Sequence, residues 1–159
     1  MNLGYERLGA EDAPRVAHLT LRPGQDQFTA VPAQRLAALR PGEDPWGVLW
    51  DDVLAGFLII DRYYSSQYDF ARSGEPGLRS VLIDAARQGE GIGTAAMEAL
   101  PALMQAEYPQ ARSLVLTVNR QNPGALAVYL RAGFVDTGTL FLGGRAGPQH
   151  ILRMPLKAR

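Results

Sequence analysis

Three alternating glycines, Gly89, Gly91 and Gly93, form the stretch of this chain that is best suited to hold a ligand. They follow a short apolar run, 81–83, which is typical of a buried strand, and they lead into apolar residues at helical spacing. Glycines let a backbone come close to a ligand, and the first N–H groups of a helix have no partner within it. A strand, a glycine turn and a helix start therefore predict a pyrophosphate-binding turn.

The glycine pattern alone does not identify the ligand. Gly91, Gly93 and Ala96 also fit the dinucleotide fingerprint, which requires an acidic residue about 20 positions later, at the end of the next strand. The next predicted strand, 113–118, is followed by Asn119, so that acid is missing. A P-loop would need a lysine that the turn lacks, which leaves coenzyme A as the third common pyrophosphate ligand. A purely structural turn is the alternative that this pattern leaves open.

A second stretch, from Asn122 to Phe134, reads Asn-x-x-Ala-x-x-x-Tyr-x-x-x-Gly-Phe. Together the two stretches resemble the GNAT superfamily of acyl-CoA-dependent N-acetyltransferases, whose second signature has this form. The first signature of that family is Gln/Arg-x-x-Gly-x-Gly/Ala, and Gln88, Gly91 and Gly93 match it. The resemblance covers the C-terminal half of the chain, whereas the N-terminal half is similar only in the order of its elements.

The resemblance implies that acetyl-CoA is the cosubstrate and that an acetyl group moves to a primary amine by direct attack. Backbone groups of Leu82 and Ile83 would hold the acetyl carbonyl and the pantetheine arm, because in this family that strand splays from its neighbour. Backbone N–H groups of the glycine turn would bind the pyrophosphate, and Arg87 is either a further positive charge there or an ordinary surface arginine. The coenzyme-binding residues expected on this basis are Leu82, Ile83, Gln88, Gly89, Glu90, Gly91, Ile92, Gly93, Thr94, Asn122, Ala125 and Tyr129.

Tyr129 is the expected catalytic residue. Asn122, Ala125 and Tyr129 are spaced i, i+3 and i+7, so they share one face of a predicted helix. In the family that this chain resembles, the asparagine meets the coenzyme, the alanine allows its approach and the tyrosine reaches the sulfur. A tyrosine with a pKa near 10 is protonated at neutral pH and can give a proton to the departing thiolate. The alternative is an aromatic side chain that only packs against the sheet.

The general base is not identified by any pattern. Asp61 and Asp84 each end a predicted strand and could face the site, although strand-end carboxylates are usually solvated. Water held by backbone carbonyls is the alternative. His18 and His150 belong to no visible triad or metal pattern and receive no role.

The segment from Tyr63 to Pro76 is the expected acceptor side. It carries aromatic residues among polar ones without a clear period, and a long loop inside a compact domain is often functional. The alternative is that these aromatics extend a strand and pack on the sheet. The C-terminal segment faintly resembles polyamine-acetylating members, whose pocket should be acidic. The acids available for such a pocket are Glu43, Asp44, Asp69 and Glu75.

Composition excludes several classes of function. The 159 residues are 47% apolar and 20% charged, which indicates one soluble globular domain over 1–159. Sixteen basic residues balance 16 acidic ones, which argues against nucleic acid as a partner. There is no cysteine, so disulfides, thiolate metal sites and a cysteine nucleophile are excluded, and no metal is expected. With neither a signal peptide nor an apolar run long enough to span a bilayer, we expect a cytoplasmic protein without membrane contact.

The expected fold is α/β (α+β): a single GNAT-like domain with a mixed central sheet of about seven strands and about four flanking helices. Predicted strands cover 3–8, 46–50, 53–61, 81–83, 113–118, 134–142 and 149–156. Predicted helices cover 13–20, 32–39, a stretch from 92 that Pro101 kinks and Pro109 ends, and the stretch after Asn122. The expected acceptor is a small-molecule or peptide amine, and a homodimer is compatible with the resemblance.

Two further functions compete with acetyl transfer. A non-catalytic acyl-CoA-binding sensor of the same fold would have no need of an acid at Tyr129. A nucleotide-dependent oxidoreductase is disfavoured by the missing acid after the strand 113–118. Release of free coenzyme A thiol in the presence of amines distinguishes an enzyme from a sensor.

Overall fold

The centre of the molecule is one mixed sheet of seven strands, seen in a computed structural model that describes residues 2–23, 30–144 and 146–157. The strand order is β1-β2-β3-β4-β5-β7-β6, and every neighbouring pair is antiparallel except β4 and β5. This arrangement confirms the predicted fold class. The strands are β1 (Leu3–Arg7), β2 (Glu43–Trp50), β3 (Val53–Asp61), β4 (Gly77–Ile83), β5 (Ser113–Asn119), β6 (Val135–Phe141) and β7 (Gln149–Pro155).

Within the described ranges, five short α-helices flank the sheet. They are α1 (Ala13–Val16), α2 (Pro32–Ala37), α3 (Ile92–Glu98), α4 (Leu100–Glu107) and α5 (Pro123–Ala132). The first predicted helix, 13–20, is shorter than expected: it begins at Ala13 after a 3-10 turn at 10–12 but already ends at Val16. The predicted kink is confirmed: α3 and α4 are separated by the single residue Ala99, two positions before Pro101.

Local chemistry explains where several elements begin and end. Asp51 and Asp52 have φ angles of 50° and 66°, so they form the tight turn that joins β2 to β3. Asn122 accepts a hydrogen bond from the Ala125 N–H at 3.4 Å and caps α5, as its sequence position predicts. Gly133 ends the same helix with a φ of 113°, a conformation that favours glycine.

Apolar side chains pack on both faces of the sheet. One core cluster joins the sheet to α3, α4 and α5 and contains Leu58, Ile92, Met104 and Leu114. A second cluster joins the opposite side to α1 and α2 through Val16 and Leu36, and Leu82 packs there with Phe57. No helix in the described ranges is long and apolar enough to cross a membrane.

The sheet is interrupted between β4 and β5. These two strands pair at only one position, Gly77 with Val115, and then separate toward their C-terminal ends. On its other side β4 stays paired with β3, but the register shifts beside Ser80, which has a φ of 55°. One edge of β4 and one edge of β5 are therefore left open beyond the first pair.

Candidate active site

A cleft of about 1290 Å³ lies where β4 and β5 separate. Residues of both strands, of α2, of α3 and of α5 line it, as do aromatic residues from the segment 63–76. Six of the twelve predicted coenzyme-binding residues are in its wall: Ile83, Gln88, Gly93, Asn122, Ala125 and Tyr129.

The other six predicted residues lie beside the cleft. Leu82 and Ile92 are buried in the two core clusters, so only their backbone groups are available to a ligand. Gly89, Glu90 and Gly91 are exposed at the surface, and Thr94 is half-buried.

The glycine turn presents a run of unpaired backbone donors. Gly89 and Gly91 have φ angles of 92° and 82°, which side chains rarely adopt, and an added Cβ at either would meet open space. The six N–H groups from Gly89 to Thr94 donate to no other residue in the described part of the chain. Gln88 shapes the turn, because its side-chain amide donates to the Ile83 carbonyl at 3.1 Å. A concave row of unpaired N–H groups is suited to an anion.

Arg87 adds an unusual feature next to this turn. Its Nη2 donates weakly to Glu90 at 3.5 Å, while its buried Nε has no hydrogen-bond partner among the described residues. A buried guanidinium nitrogen is costly to leave unpaired, so Arg87 has a donor available for a ligand beside the turn.

The Asn122, Ala125 and Tyr129 face of α5 turns toward the cleft, as the spacing predicts. Because the Asn122 carbonyl oxygen already caps the helix, its amide N–H groups are the part available to a ligand. The Tyr129 ring packs edge-on against Phe134 with ring centres 5.6 Å apart. Burial raises the pKa of the Tyr129 hydroxyl, which donates to no described residue. The hydroxyl therefore keeps its proton at neutral pH.

Neither candidate base lies in the cleft wall. Asp61 is fully buried and accepts from the Tyr63 N–H, Gln67 and Arg79. Asp84 accepts from Thr20 and from the Ala86 N–H. Burial alone would raise the pKa of Asp84, but these hydrogen bonds lower it. Both carboxylates hold the fold together instead of being solvated, which their positions at strand ends did not reveal.

The aromatic segment packs against the sheet without extending a strand. Residues 64–66 form a 3-10 turn, and the Tyr64 ring is only 2% exposed beneath Gly77, so it is a packing residue. Tyr68 and Phe70 are half-buried and contact Phe141 of β6 with ring centres 5.4 Å and 5.6 Å apart.

Arginines at this end of the cleft were missed by sequence reasoning. Arg79 of β4 lies over the rings of Tyr64 and Tyr68, at 4.7 Å and 5.3 Å from their centres. Arg35 of α2 reaches Ser80 and Glu43. The only available signal was a charged residue inside an otherwise buried strand, because the partners lie far away in sequence.

Comparisons with known proteins agree with this geometry. The model of the acetyltransferase (GNAT) family matches residues 13–134. The chain is 31% identical to the uncharacterized N-acetyltransferase YbbJ of Bacillus subtilis (strain 168), with 89% of this chain and 90% of the relative covered.

Solved structures show the same fold at low sequence identity. A complex of AAC(6')-Ib with ribostamycin and coenzyme A superposes with a TM-score of 0.78 at 17% identity, covering 98% of this chain and 94% of the other. The ribosomal-protein-S18-alanine N-acetyltransferase from Escherichia coli superposes with a TM-score of 0.68 at 18% identity, covering 99% and 96%. The predicted family, fold and acyl-CoA-dependent N-acetyltransferase class are thus confirmed, and nothing in the comparisons favours a non-catalytic sensor. The chain belongs to the GNAT family of acetyltransferases.

Proposed function

We propose that residues 1–159 act as one acetyltransferase domain that moves the acetyl group of acetyl-CoA to the primary amine of a small molecule or peptide. The observation that carries this proposal is the row of six unpaired N–H groups from Gly89 to Thr94, next to the open edge of β4. Acetyl-CoA supplies an acetyl group that is activated as a thioester. We propose a cytoplasmic location for this activity, because its donor acetyl-CoA is an intracellular metabolite.

The residues present fit this coenzyme. Pyrophosphate is matched by the unpaired donors of the turn, which bind anions without a lysine. The pantetheine arm carries amide groups, and the edge of β4 that is left open beyond its single pairing with β5 is suited to bind them. Arg87 and the Asn122 amide would add donors on either side.

We assign Tyr129 the role of general acid. This residue lines the cleft on the α5 side, and its hydroxyl holds a proton at neutral pH and is not engaged elsewhere in the described structure. As the C–S bond breaks and the amide bond forms, the Oη proton moves to the departing sulfur. The tyrosinate then regains a proton from solvent.

No side chain is assigned the general base. Among the described residues of the cleft wall there is no Asp, Glu or His. We therefore assign proton removal from the acceptor amine to solvent, through water held by backbone carbonyls of the open strand edges. The amine attacks the acetyl carbonyl directly in its neutral form.

Release of free thiol from acetyl-CoA in the presence of primary amines tests this function. Because the chain has no cysteine, all thiol detected comes from the coenzyme. An enzyme releases thiol in proportion to the acetylated amine that mass spectrometry detects. A protein that binds acetyl-CoA but releases none with any amine would be the sensor instead.

A further inference from the structure

We infer that the acceptor of this enzyme is an amino acid or a similar small amine that carries a carboxylate, and that Arg35 and Arg79 bind this carboxylate. The inference rests on the proposed function and names its substrate class. Its basis is the charge of the cleft wall at the end away from the glycine turn.

The described wall of the cleft contains arginines but no carboxylate. Four arginines contribute to it, and no Asp or Glu does: Arg22, Arg35, Arg40 and Arg79. The acids that a polyamine pocket would need are elsewhere. Glu43, Asp44 and Glu75 are buried and paired with arginines, and Asp69 is exposed outside the wall.

Two buried carboxylates outside the cleft wall pair with these arginines and only partly neutralise their charge. Glu43 pairs with Arg35 at 2.7 Å and with Arg40 at 3.6 Å. Asp61 pairs with Arg79 at 2.9 Å. Three guanidinium groups thus share two carboxylates, which leaves positive charge facing the cleft. A carboxylate entering there gains a partner, whereas a polycation meets like charge.

Both inner arginines keep donors for a ligand. A guanidinium has five N–H groups. Arg79 uses three, one each to Asp61, Tyr68 and Gln67. Arg35 also uses three, to Ser80, the Ala38 carbonyl and Glu43. Each arginine therefore retains two N–H groups, enough for the paired hydrogen bonds that carboxylates favour.

The arginines are held in place before a ligand arrives. Arg79 lies over the rings of Tyr64 and Tyr68, and Asp61 fixes its Nε. Arg35 is fixed by Glu43 and by Ser80, the residue with positive φ in β4. A guanidinium with fixed orientation loses little entropy on binding. Tyr68 and Phe141 provide apolar surface beside this anchor.

The coenzyme phosphates do not account for these arginines. Arg79 lies four residues before Ile83 along β4, so their Cα atoms are at most about 13 Å apart, because the positive φ at Ser80 shortens the strand between them. The unpaired N–H groups of the glycine turn follow Ile83 in the chain, and Gly93 of that turn lies beside the Ile83 side chain. One end of the cleft therefore holds donors for pyrophosphate, and the other holds a separate anion site.

Matched pairs of amines test the inference on the wild-type enzyme. Each pair contains an amino acid and the same amine without its carboxylate: phenylalanine and phenethylamine, tyrosine and tyramine, leucine and 3-methylbutylamine. Spermidine serves as the polycation. We expect kcat/KM, compared per neutral amine, to be about 10-fold to 100-fold higher for the acids, the scale of a charge-assisted hydrogen bond. Equal or better turnover of the decarboxylated amines or of spermidine overturns the inference.

A binding measurement separates this inference from the proposed function. Calorimetry of the same panel with the coenzyme A-saturated protein should show binding of the amino acids and weaker or no binding of their partners. If coenzyme A binds but no amino acid does, the substrate class is wrong. If coenzyme A itself does not bind, the proposed function has failed first.

Variants test the two arginines. Arg35→Gln and Arg79→Gln should raise the KM for amino acids about 10-fold or more, with little change for the decarboxylated partners. Arg62→Gln removes an arginine that pairs with Asp44 outside this cleft and should leave the preference intact. If Arg79→Gln does not fold because Asp61 loses its partner, the inference is tested with Arg35→Gln and with the panel of amines on the wild-type enzyme. An unchanged preference in folded Arg35→Gln and Arg79→Gln would reject the two arginines as the anchor.

Discussion

Tyr129 lines the cleft, and its protonated hydroxyl has no hydrogen-bond partner in the described structure. Tyr129→Phe keeps the ring and its contact with Phe134 and removes only this donor. We expect the rate of the chemical step to fall about 10²–10⁴-fold, with residual activity because water can also protonate a thiolate. Single-turnover kinetics give this rate without interference from product release.

Affinity for acetyl-CoA should change little in Tyr129→Phe. The matched control is Tyr63→Phe, since Tyr63 is 51% exposed and is not among the residues that line the cleft. If Tyr129→Phe turns over at the wild-type rate, Tyr129 is a packing residue and has no acid role.

The absence of a carboxylate or histidine from the described cleft wall determines the expected pH dependence. Only the neutral form of an amine attacks the thioester, and that form increases as the pH rises through the amine's own pKa. We expect kcat/KM to rise with pH and the midpoint to move with the acceptor when amines of different pKa are compared. One common midpoint between pH 6 and 7 for every amine would reveal an enzyme base instead.

The glycine turn requires glycine at position 91 because the backbone there is left-handed, and not because a side chain would lack room. Gly91→Val should weaken acetyl-CoA binding about 5-fold to 30-fold, because a side chain in this conformation costs roughly 1–2 kcal/mol, so the free turn relaxes and must regain the conformation in order to bind. Gly93 is different: it has helical backbone, and an added Cβ would meet Ile83 at an ordinary 3.5 Å. The structure therefore predicts a smaller effect there.

Gly74→Val is the matched control for Gly91→Val. Gly74 has a similar φ of 73°, open surroundings and a position away from the cleft wall. The two variants should lose similar stability in urea unfolding, but only Gly91→Val should lose coenzyme affinity in calorimetry. Equal affinity losses would point to a general effect on folding.

The aromatic segment is tied to the sheet by the buried carboxylate of Glu75. Glu75 accepts from Arg153 of β7 and Ser113 of β5, and Arg153 also donates to the Phe70 carbonyl. Glu75→Gln weakens this link, so the free energy of unfolding at pH 7 should fall by about 1.5–3 kcal/mol, the scale of one hydrogen bond to a charged group. Urea unfolding measures this change.

The pH dependence of the same link has a definite sign. Burial alone would raise the pKa of Glu75, but the hydrogen bonds from Arg153 and Ser113 lower it below its unfolded value. Its stabilisation is therefore complete above the unfolded pKa, about 4.3, and is lost as the pH falls through the lower folded pKa. The difference between wild type and Glu75→Gln should shrink in acid. A constant difference from pH 7 to pH 3 would contradict this account.

For the whole molecule, coenzyme binding should be visible as stabilisation. Acetyl-CoA at about 100 times its dissociation constant should add roughly 2.7 kcal/mol to the free energy of unfolding. NADH should add little, because the protein has no acidic residue at the end of β5 to bind its ribose. A rise in the melting temperature with NADH and none with acetyl-CoA would contradict the assignment of the turn.

Local signals in the sequence predicted most of this architecture. The Asn122 cap, the Gly133 terminus and the Pro101 kink each depend on neighbours within a few residues, so they could be read directly. The structure of the acceptor end of the cleft could not be predicted from such local signals. Arg79 meets Asp61 and Glu43 only after β2, β3 and β4 pair, and those contacts decide both the charge of the cleft and the burial of Asp61.

Because β4 and β5 pair at a single position, the sheet consists of two halves that are joined along one seam, the gap between these two strands. One half contains β1 to β4, and the other contains β5 to β7. A molecule that lies in the seam and pairs with both edges completes the sheet as a non-peptide strand. On the proposed function the pantetheine arm of acetyl-CoA would be such a molecule, so each turnover would end with the loss of the group that makes the sheet continuous.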